Sequence, residues 1–246
     1  MCGRYASSRR AEDLIDEFEV EESVLEAPLE PDYNVAPTKE VYAVLERPAK
    51  ADRPQQRQLR ALRWGLVPSW AKDPAIGNRM INARMETVAE KPSYRRAFAA
   101  RRCLLPADGY FEWYPSEQLN AKGKPIKQPF FIHPADDGVL AMAGLYEIWR
   151  DPAVADGEPG QFRWTCTVIT TEAEDSLGHI HNRMPLMVPV DRWSTWLDPE
   201  PHASEELLAL LEPAAPGRLV AQPVSLLVNN VRNNGPELIA PLPAEA

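Results

Sequence analysis

The chain has 246 residues, 44% of them hydrophobic, and 27 basic against 36 acidic side chains give a net charge of -9. That length makes one large domain or two small ones with a substantial core, and the acidic balance weighs against indiscriminate nucleic-acid coating, though not against a local basic cleft. With no stretch near the roughly 20 apolar residues of a membrane span, no signal peptide, and three cysteines (Cys2, Cys103 and Cys166) lacking paired spacing, a reducing cytoplasmic compartment is expected without a disulfide framework or zinc ribbon.

The chain opens Met1-Cys2-Gly3-Arg4-Tyr5. Methionine removal requires a small second residue, and cysteine qualifies. An N-terminal cysteine carries an α-amine of pKa about 7.7–8.0 beside a thiol of about 8.5, so small shifts activate either near neutral pH. Such a pair can take an aldehyde as an imine, which sulfur then closes to a five-membered thiazolidine. On position alone the simpler reading is a small residue after the initiator.

Residues 9–20 read as a helix with Leu14, Ile15 and Phe18 on one face. Residues 21–31 read as an acidic loop leading to Tyr33-Asn34-Val35-Ala36-Pro37. Strands are predicted at 41–45 and 59–64, joined by a polar, proline-marked connection. A helix at 93–100 precedes short apolar runs at 103–105 and 110–113. The arginines 95, 96, 101 and 102 in this region fit a solvated face better than a phosphate site. Residues 122–127 look like a hairpin tip before a strand at 130–132, with further strands at 139–143 and 162–169. Residues 191–197 and 204–211 read as helices, 213–217 as a break, 219–220 and 224–228 as closing strands, and 241–246 as a frayed tail. Short strands with scattered helices and no βαβ alternation predict a single α+β domain, a curled, barrel-like, mostly antiparallel sheet with flanking helices.

Four strings set polar residues in apolar frames: Trp64-Gly65-Leu66-Val67-Pro68-Ser69-Trp70, Ile81-Asn82-Ala83-Arg84-Met85-Glu86, Gly109-Tyr110-Phe111-Glu112-Trp113 and Ile180-His181-Asn182-Arg183-Met184-Pro185. Buried acids and amides are costly unless paired, and mutual pairing of Asn82, Glu112 and His181 is the simpler reading for any one alone. Strand alternation turns Glu112 away from both flanking aromatics, and partial desolvation would raise its pKa into the range useful for proton transfer. His181 titrates near neutral pH unaided, and spacing leaves His179 as a competitor. Arg84 and Arg183 suit phosphate, or equally a carboxylate such as Glu86 or Glu112. Trp64, Trp70 and Pro37 are base wedges in a nucleic-acid protein and core residues elsewhere. No metal-ligand spacing, Gly-rich phosphate loop or G-x-S-x-G elbow is present, so no metal or cofactor is expected.

Together these strings resemble the SOS response-associated peptidase (SRAP) family, in order from Met1-Cys2-Gly3-Arg4-Tyr5 to Asn229-Asn230-Val231-Arg232-Asn233-Asn234-Gly235. The resemblance runs from residue 2 to about residue 241. It implies a cytoplasmic protein, nucleoid-associated when bound to DNA, that crosslinks to abasic sites in single-stranded DNA and acts as a monomer. Cys2 would be the nucleophile, with Asn82, Glu112 and His181 assisting. Arg4, Asn34, Arg84 and Thr170 would line the pocket or bind phosphate, and Pro37 and Trp70 would act on bases. The family often has a second tryptophan beside the position of Trp70, where this chain has Ala71, which leaves the size of the base wedge open. Family members also carry autopeptidase activity, some on a longer propeptide; with Met1 alone ahead of Cys2, ordinary methionine removal is the expected substitute. Two other classes compete. A cysteine peptidase or N-terminal-nucleophile amidohydrolase would use Cys2 with His181 or Glu112. A damaged-DNA binding module would bind reversibly without Cys2.

Overall fold

The computed structural model describes residues 2–49, 54–119, 122–173, 177–211 and 217–243. Strand β4 (Glu40–Arg47) buries both its faces, and the two sets of side chains go to different cores. Val41, Ala43 and Leu45 point with Leu62, Trp64, Cys103, Leu105, Met142 and Val168 into one cluster. Tyr42 and Val44 join Leu59, Leu104, Ala143 and Leu145 in another. Burial on both faces explains why such strands read as apolar runs rather than clean alternation.

The first cluster fills a barrel. Strands β5 (Gln56–Trp64), β7 (Arg102–Ala107), β10 (Leu140–Arg150) and β11 (Phe162–Glu172) run β11-β10-β7-β4-β5. A parallel pairing of Thr165 with Arg63 and Cys166 with Trp64 closes the circle. At the mouth, β6 (Asn82–Arg84) adds to β11 in parallel and β12 (Arg183–Pro185) antiparallel. A second sheet, β13-β9-β8-β1-β3, is antiparallel throughout. It is built from β1 (Tyr5–Ser7), β3 (Asp32–Val35), β8 (Gly109–Leu119), β9 (Pro125–Pro134) and β13 (Leu219–Pro223). The expected α+β architecture is thus a closed five-stranded barrel beside an antiparallel sheet.

The second cluster lies outside the barrel wall, under α1 (Ala11–Glu17), α2 (Arg95–Ala100), α3 (Trp193–Leu197) and α4 (Ser204–Leu210). Phe18 stacks on Trp193 at 4.5 Å, and Phe98 meets Trp196 at 6.2 Å. Truncating a fully buried tryptophan such as Trp196 costs about 3–5 kcal/mol. Arg102 is buried and donates to the carbonyls of Phe98 and Trp196 at 2.9 and 2.8 Å. It staples α2 to α3, while Arg101 pairs with Glu147, so half of the arginine cluster serves the scaffold. No helix among the described residues is long and apolar enough to cross a membrane.

Four expectations need correction. Within the expected loop at 21–31, β2 (Glu22–Ser23) pairs in parallel with β5, because the chain runs along that strand's open edge. Residues 224–228 do not form a strand: Ser225 Oγ accepts from the Leu227 N–H at 3.2 Å and caps a 3₁₀ turn, Leu226–Asn229. Only Val224 keeps a bridge, to Pro241. With Leu242 donating to the Pro223 carbonyl at 2.9 Å, the start of the expected frayed tail is tied down. Residues 213–216 of the expected break and 244–246 of the expected tail lie outside the described residues. The hairpin tip is shorter than predicted, since β9 begins at Pro125 and takes in Lys127.

Candidate functional site

Cys2 is fully buried against the barrel-filling cluster. Asn82 reaches it from β6, whose parallel pairing sets Asn82 opposite Val168. Its Nδ2 donates to the Cys2 carbonyl at 2.8 Å, and Tyr94 Oη donates to the carbonyl of Asn82 itself at 3.1 Å. Asn82 Oδ1 is buried with no hydrogen-bond partner among the described residues, leaving an acceptor beside Cys2. Burial pushes the Cys2 thiol well above its usual pKa, and the charge of Glu112 pushes it further.

Glu112 sits on β8 opposite Phe130. Phe111 is buried in a third cluster with Phe131, Val224, Val228 and Leu238, and Trp113 packs against it, so alternation turns Glu112 to the other face as predicted. Burial raises its carboxyl pKa, while the charge of His181 acts in the opposite direction. His181 Nδ1 accepts the Arg183 backbone N–H at 3.0 Å, so the neutral ring carries its proton on Nε2. Glu112 and His181 line one cavity of about 670 Å³, with Trp113, Ile126, Lys127, Leu226 and Asn229 around it. The competing His179 is exposed and lies edge-on to Tyr114, 6.2 Å away.

Asn34 ties Arg4 to the loop that bounds this cavity. It is fully buried; its Oδ1 accepts from Arg4 Nη1 at 2.6 Å, and its Nδ2 donates to the carbonyls of Asn230 and Asn233, both at 3.0 Å. Arg4 also donates to the Val228 carbonyl at 3.0 Å and lies 5.8 Å from the centre of the Trp113 ring. Asn34 therefore stands behind Arg4.

Arg84 is exposed on β6. Arg183 pairs with Glu86 and reaches the Thr170 hydroxyl at 3.3 Å. Thr170 is fully buried where β6, β11 and β12 meet. Trp70 is 56% exposed and Pro37 half-buried, whereas Trp64 is core, donating Nε1 to the Ile81 carbonyl at 2.9 Å. Ala71 is buried with Val67 and Trp149, and its carbonyl accepts from Trp149 Nε1 at 2.7 Å. After Trp64 the chain turns at Gly65 (φ +131°), where a Cβ would lie 2.6 Å from the Gly77 carbonyl oxygen. No other residue fits there without strain.

The sequence profile of the SOS response associated peptidase (SRAP) family matches residues 1–231. The chain belongs to this family. Among its relatives, abasic site processing protein YoqW of Bacillus subtilis (strain 168) is 38% identical over 239 residues, covering 97% of this chain and 99% of that protein. Abasic site processing protein HMCES of Gallus gallus is 34% identical over 277 residues, covering 98% of this chain and 78% of that protein. A crystal structure of a Bacteroides thetaiotaomicron protein superposes with a TM-score of 0.80 at 24% identity, over 98% of this chain and all of the other; that likeness speaks for the fold alone. Trp113, Lys127, Leu226 and Asn229 line the cavity although sequence reasoning did not select them as site residues. Trp113 and Asn229 stood inside the quoted motifs. Lys127 and Leu226 carried no comparable signal.

Proposed function

We propose that this chain processes abasic sites in single-stranded DNA by capturing the ring-opened deoxyribose aldehyde on Cys2, acting as a monomer. The observation that carries the reading is that Asn82 bonds the Cys2 carbonyl while Glu112, whose charge acts on the Cys2 thiol, shares a cavity with His181, although the four are far apart in sequence. The relatives' names, abasic site processing proteins, agree with it.

Hydrolysis of the Met1–Cys2 bond, by self-cleavage or by an aminopeptidase, releases the amine. His181 assists ring opening by moving a proton to the sugar ring oxygen. The amine adds to the C1′ aldehyde and water leaves, giving an imine. Sulfur then bonds to the imine carbon while the thiol proton passes to nitrogen, closing the thiazolidine; one C–N and one C–S bond form, one water is lost, and nothing is oxidised. Burial favours the neutral thiol over the thiolate, in keeping with attack by nitrogen first. Glu112, with its own pKa raised, relays the protons. Capture by sulfur forestalls the β-elimination that an open imine promotes. Asn82 Oδ1 is the acceptor that orients the amine. Arg4 and Arg84 hold phosphates, Trp70 and Pro37 press on bases, Asn34 positions Arg4, and Thr170 acts through Arg183.

A hydrolase reading would use the same Cys2 thiol with the α-amine as its base, and turnover of a peptide or amide substrate without DNA would favour it. Incubation with single-stranded DNA containing an abasic site, followed by heating and denaturing electrophoresis, tests the reading. The protein gives a heat-stable adduct, and Cys2→Ala gives none; a stable adduct in that variant overturns it.

A further inference from the structure

The barrel has two ends, and the chemistry described above occupies the mouth. At the far end, alternation carries the inward-facing rows past the apolar filling. On β4 the row of Val41, Ala43 and Leu45 goes on to Arg47, and on β5 the row of Leu62 and Trp64 is preceded by Arg60. On β10 and β11 the rows bring in Tyr146 and Trp164, whose rings stack at 5.7 Å. The Arg60 guanidinium carbon lies 4.2 Å from the centre of the Trp164 ring, and that of Arg47 lies 5.0 Å from the same point. Burial pushes the Tyr146 phenol up to about 12, while the charges of Arg47, Arg101 and Arg60 act against that rise. Three guanidinium groups therefore gather at this end of a chain whose net charge is -9.

Like charges this close repel, and the neighbouring acids neutralise them unevenly. Glu147 pairs with Arg101, and Glu46 pairs with Arg57. Glu22 is reached through Gln58, whose amide donates to it and whose Oε1 accepts from Arg60 Nε at 2.8 Å. Arg47 has neither a hydrogen bond nor an ion pair among the described residues, only its contact with the Trp164 ring.

We propose that this end of the barrel is an anion site that takes a phosphate group, held by Arg47 and Arg60 with the Tyr146 hydroxyl as a further donor. One guanidinium fork satisfies both oxygens of a carboxylate, whereas a phosphate has enough oxygens for two forks and a hydroxyl. On β11, Trp164 stands about 20 Å from Thr170 at the mouth, so a phosphate held beside Cys2 does not fill this site. The group arrives free, as phosphate or a phosphate monoester, or within a strand long enough to reach both ends.

The test uses the whole protein with inorganic phosphate, at an ionic strength held constant with sodium chloride. Phosphate should raise the melting temperature of the wild type, and raise it less in Arg47→Ala and in Arg60→Gln. Calorimetric titration should show phosphate binding weakened roughly tenfold to a hundredfold by Arg47→Ala. Because Arg84 can meet phosphate at the mouth, the titration is repeated in Arg84→Ala, where the part that depends on Arg47 should persist. Without phosphate, Arg47→Ala should be at least as stable as the wild type, since it removes repulsion and breaks no hydrogen bond. No phosphate-dependent shift in the wild type, or the same shift and affinity in Arg47→Ala, overturns the site. The two sources give different patterns. If the phosphate is free, Arg47→Ala weakens binding of a nucleoside monophosphate and leaves long undamaged single strands unaffected. If it belongs to a strand, Arg47→Ala lowers the salt slope by about one for long strands and not for short ones. Adduct formation by Arg47→Ala with a short abasic strand should match the wild type, so failure of this site and failure of the capture chemistry are read separately.

Discussion

Replacing Asn34 with alanine removes the link between Arg4 and the loop at 228–233. The amide has two N–H bonds, directed to the carbonyls of Asn230 and Asn233 at 3.0 Å, with the Val228 carbonyl more distant at 3.3 Å. Two such bonds contribute about 1 kcal/mol each, and the charge-assisted bond from Arg4 Nη1 at 2.6 Å about 2 kcal/mol, giving roughly 4 kcal/mol. Water reaching the exposed loop carbonyls lowers the expected loss to about 3 kcal/mol. Urea unfolding at neutral pH measures it, with an unchanged m-value showing that stability alone has moved. Asn34→Asp is the sharper control. The carboxylate keeps an acceptor for Arg4 but presents no donor to the carbonyl oxygens, so it should be as damaging as alanine. A loss under about 1 kcal/mol in Asn34→Ala, or wild-type stability in Asn34→Asp, would refute the reasoning.

Burial raises the Glu112 pKa above its unfolded value of about 4.3. Between those two values the folded state binds more protons, so this group's contribution to stability is full below about pH 4.3 and is lost as pH rises through the folded value. The melting temperature of Glu112→Gln relative to wild type should therefore climb from acid to neutral pH; a constant difference contradicts this. Trp70→Ala, at a 56% exposed ring, should change stability by no more than about 0.5 kcal/mol and weaken binding to single-stranded DNA roughly fivefold to a hundredfold, read by chemical unfolding and anisotropy. Asn82→Ala should cost about 1 kcal/mol through loss of its 2.8 Å bond to Cys2 and slow adduct formation at saturating DNA. An unchanged rate would remove Asn82 from the chemistry.

The sequence made the barrel strands legible in β4 and β11, whereas β10 was read only as far as Ala143 of its Leu140–Arg150, and Glu112's facing followed from alternation alone. The turn at 226–229 was misread because a short apolar run such as Val224 to Val228 fits a strand or a helical turn equally. The Ser225 cap decides it, by a hydrogen bond of two-residue range. Asn34 stands in a motif that suggests contact with a ligand, and Thr170 was named through the family resemblance, yet both are fully buried. A motif shows that a residue matters to a site without showing whether it touches the ligand or holds a neighbour. Spacing could not choose His181 over His179; the resemblance pointed to His181, and folding brings Glu112 of β8 into one cavity with it. Lys127 and Leu226 were invisible for the same reason: an exposed lysine or leucine in a strand or turn carries no local signature.

The central claim is that amine and thiol of Cys2 act together once Met1 is gone. Intact-mass spectrometry of the purified protein, before and after mixing with single-stranded DNA bearing one abasic site, tests it most directly. The account predicts a protein lacking Met1, and then a species at the summed mass of protein and strand less one water, with fragmentation placing the link on Cys2. A protein that keeps Met1 and still forms the adduct, or an adduct mapped to another residue, would contradict it.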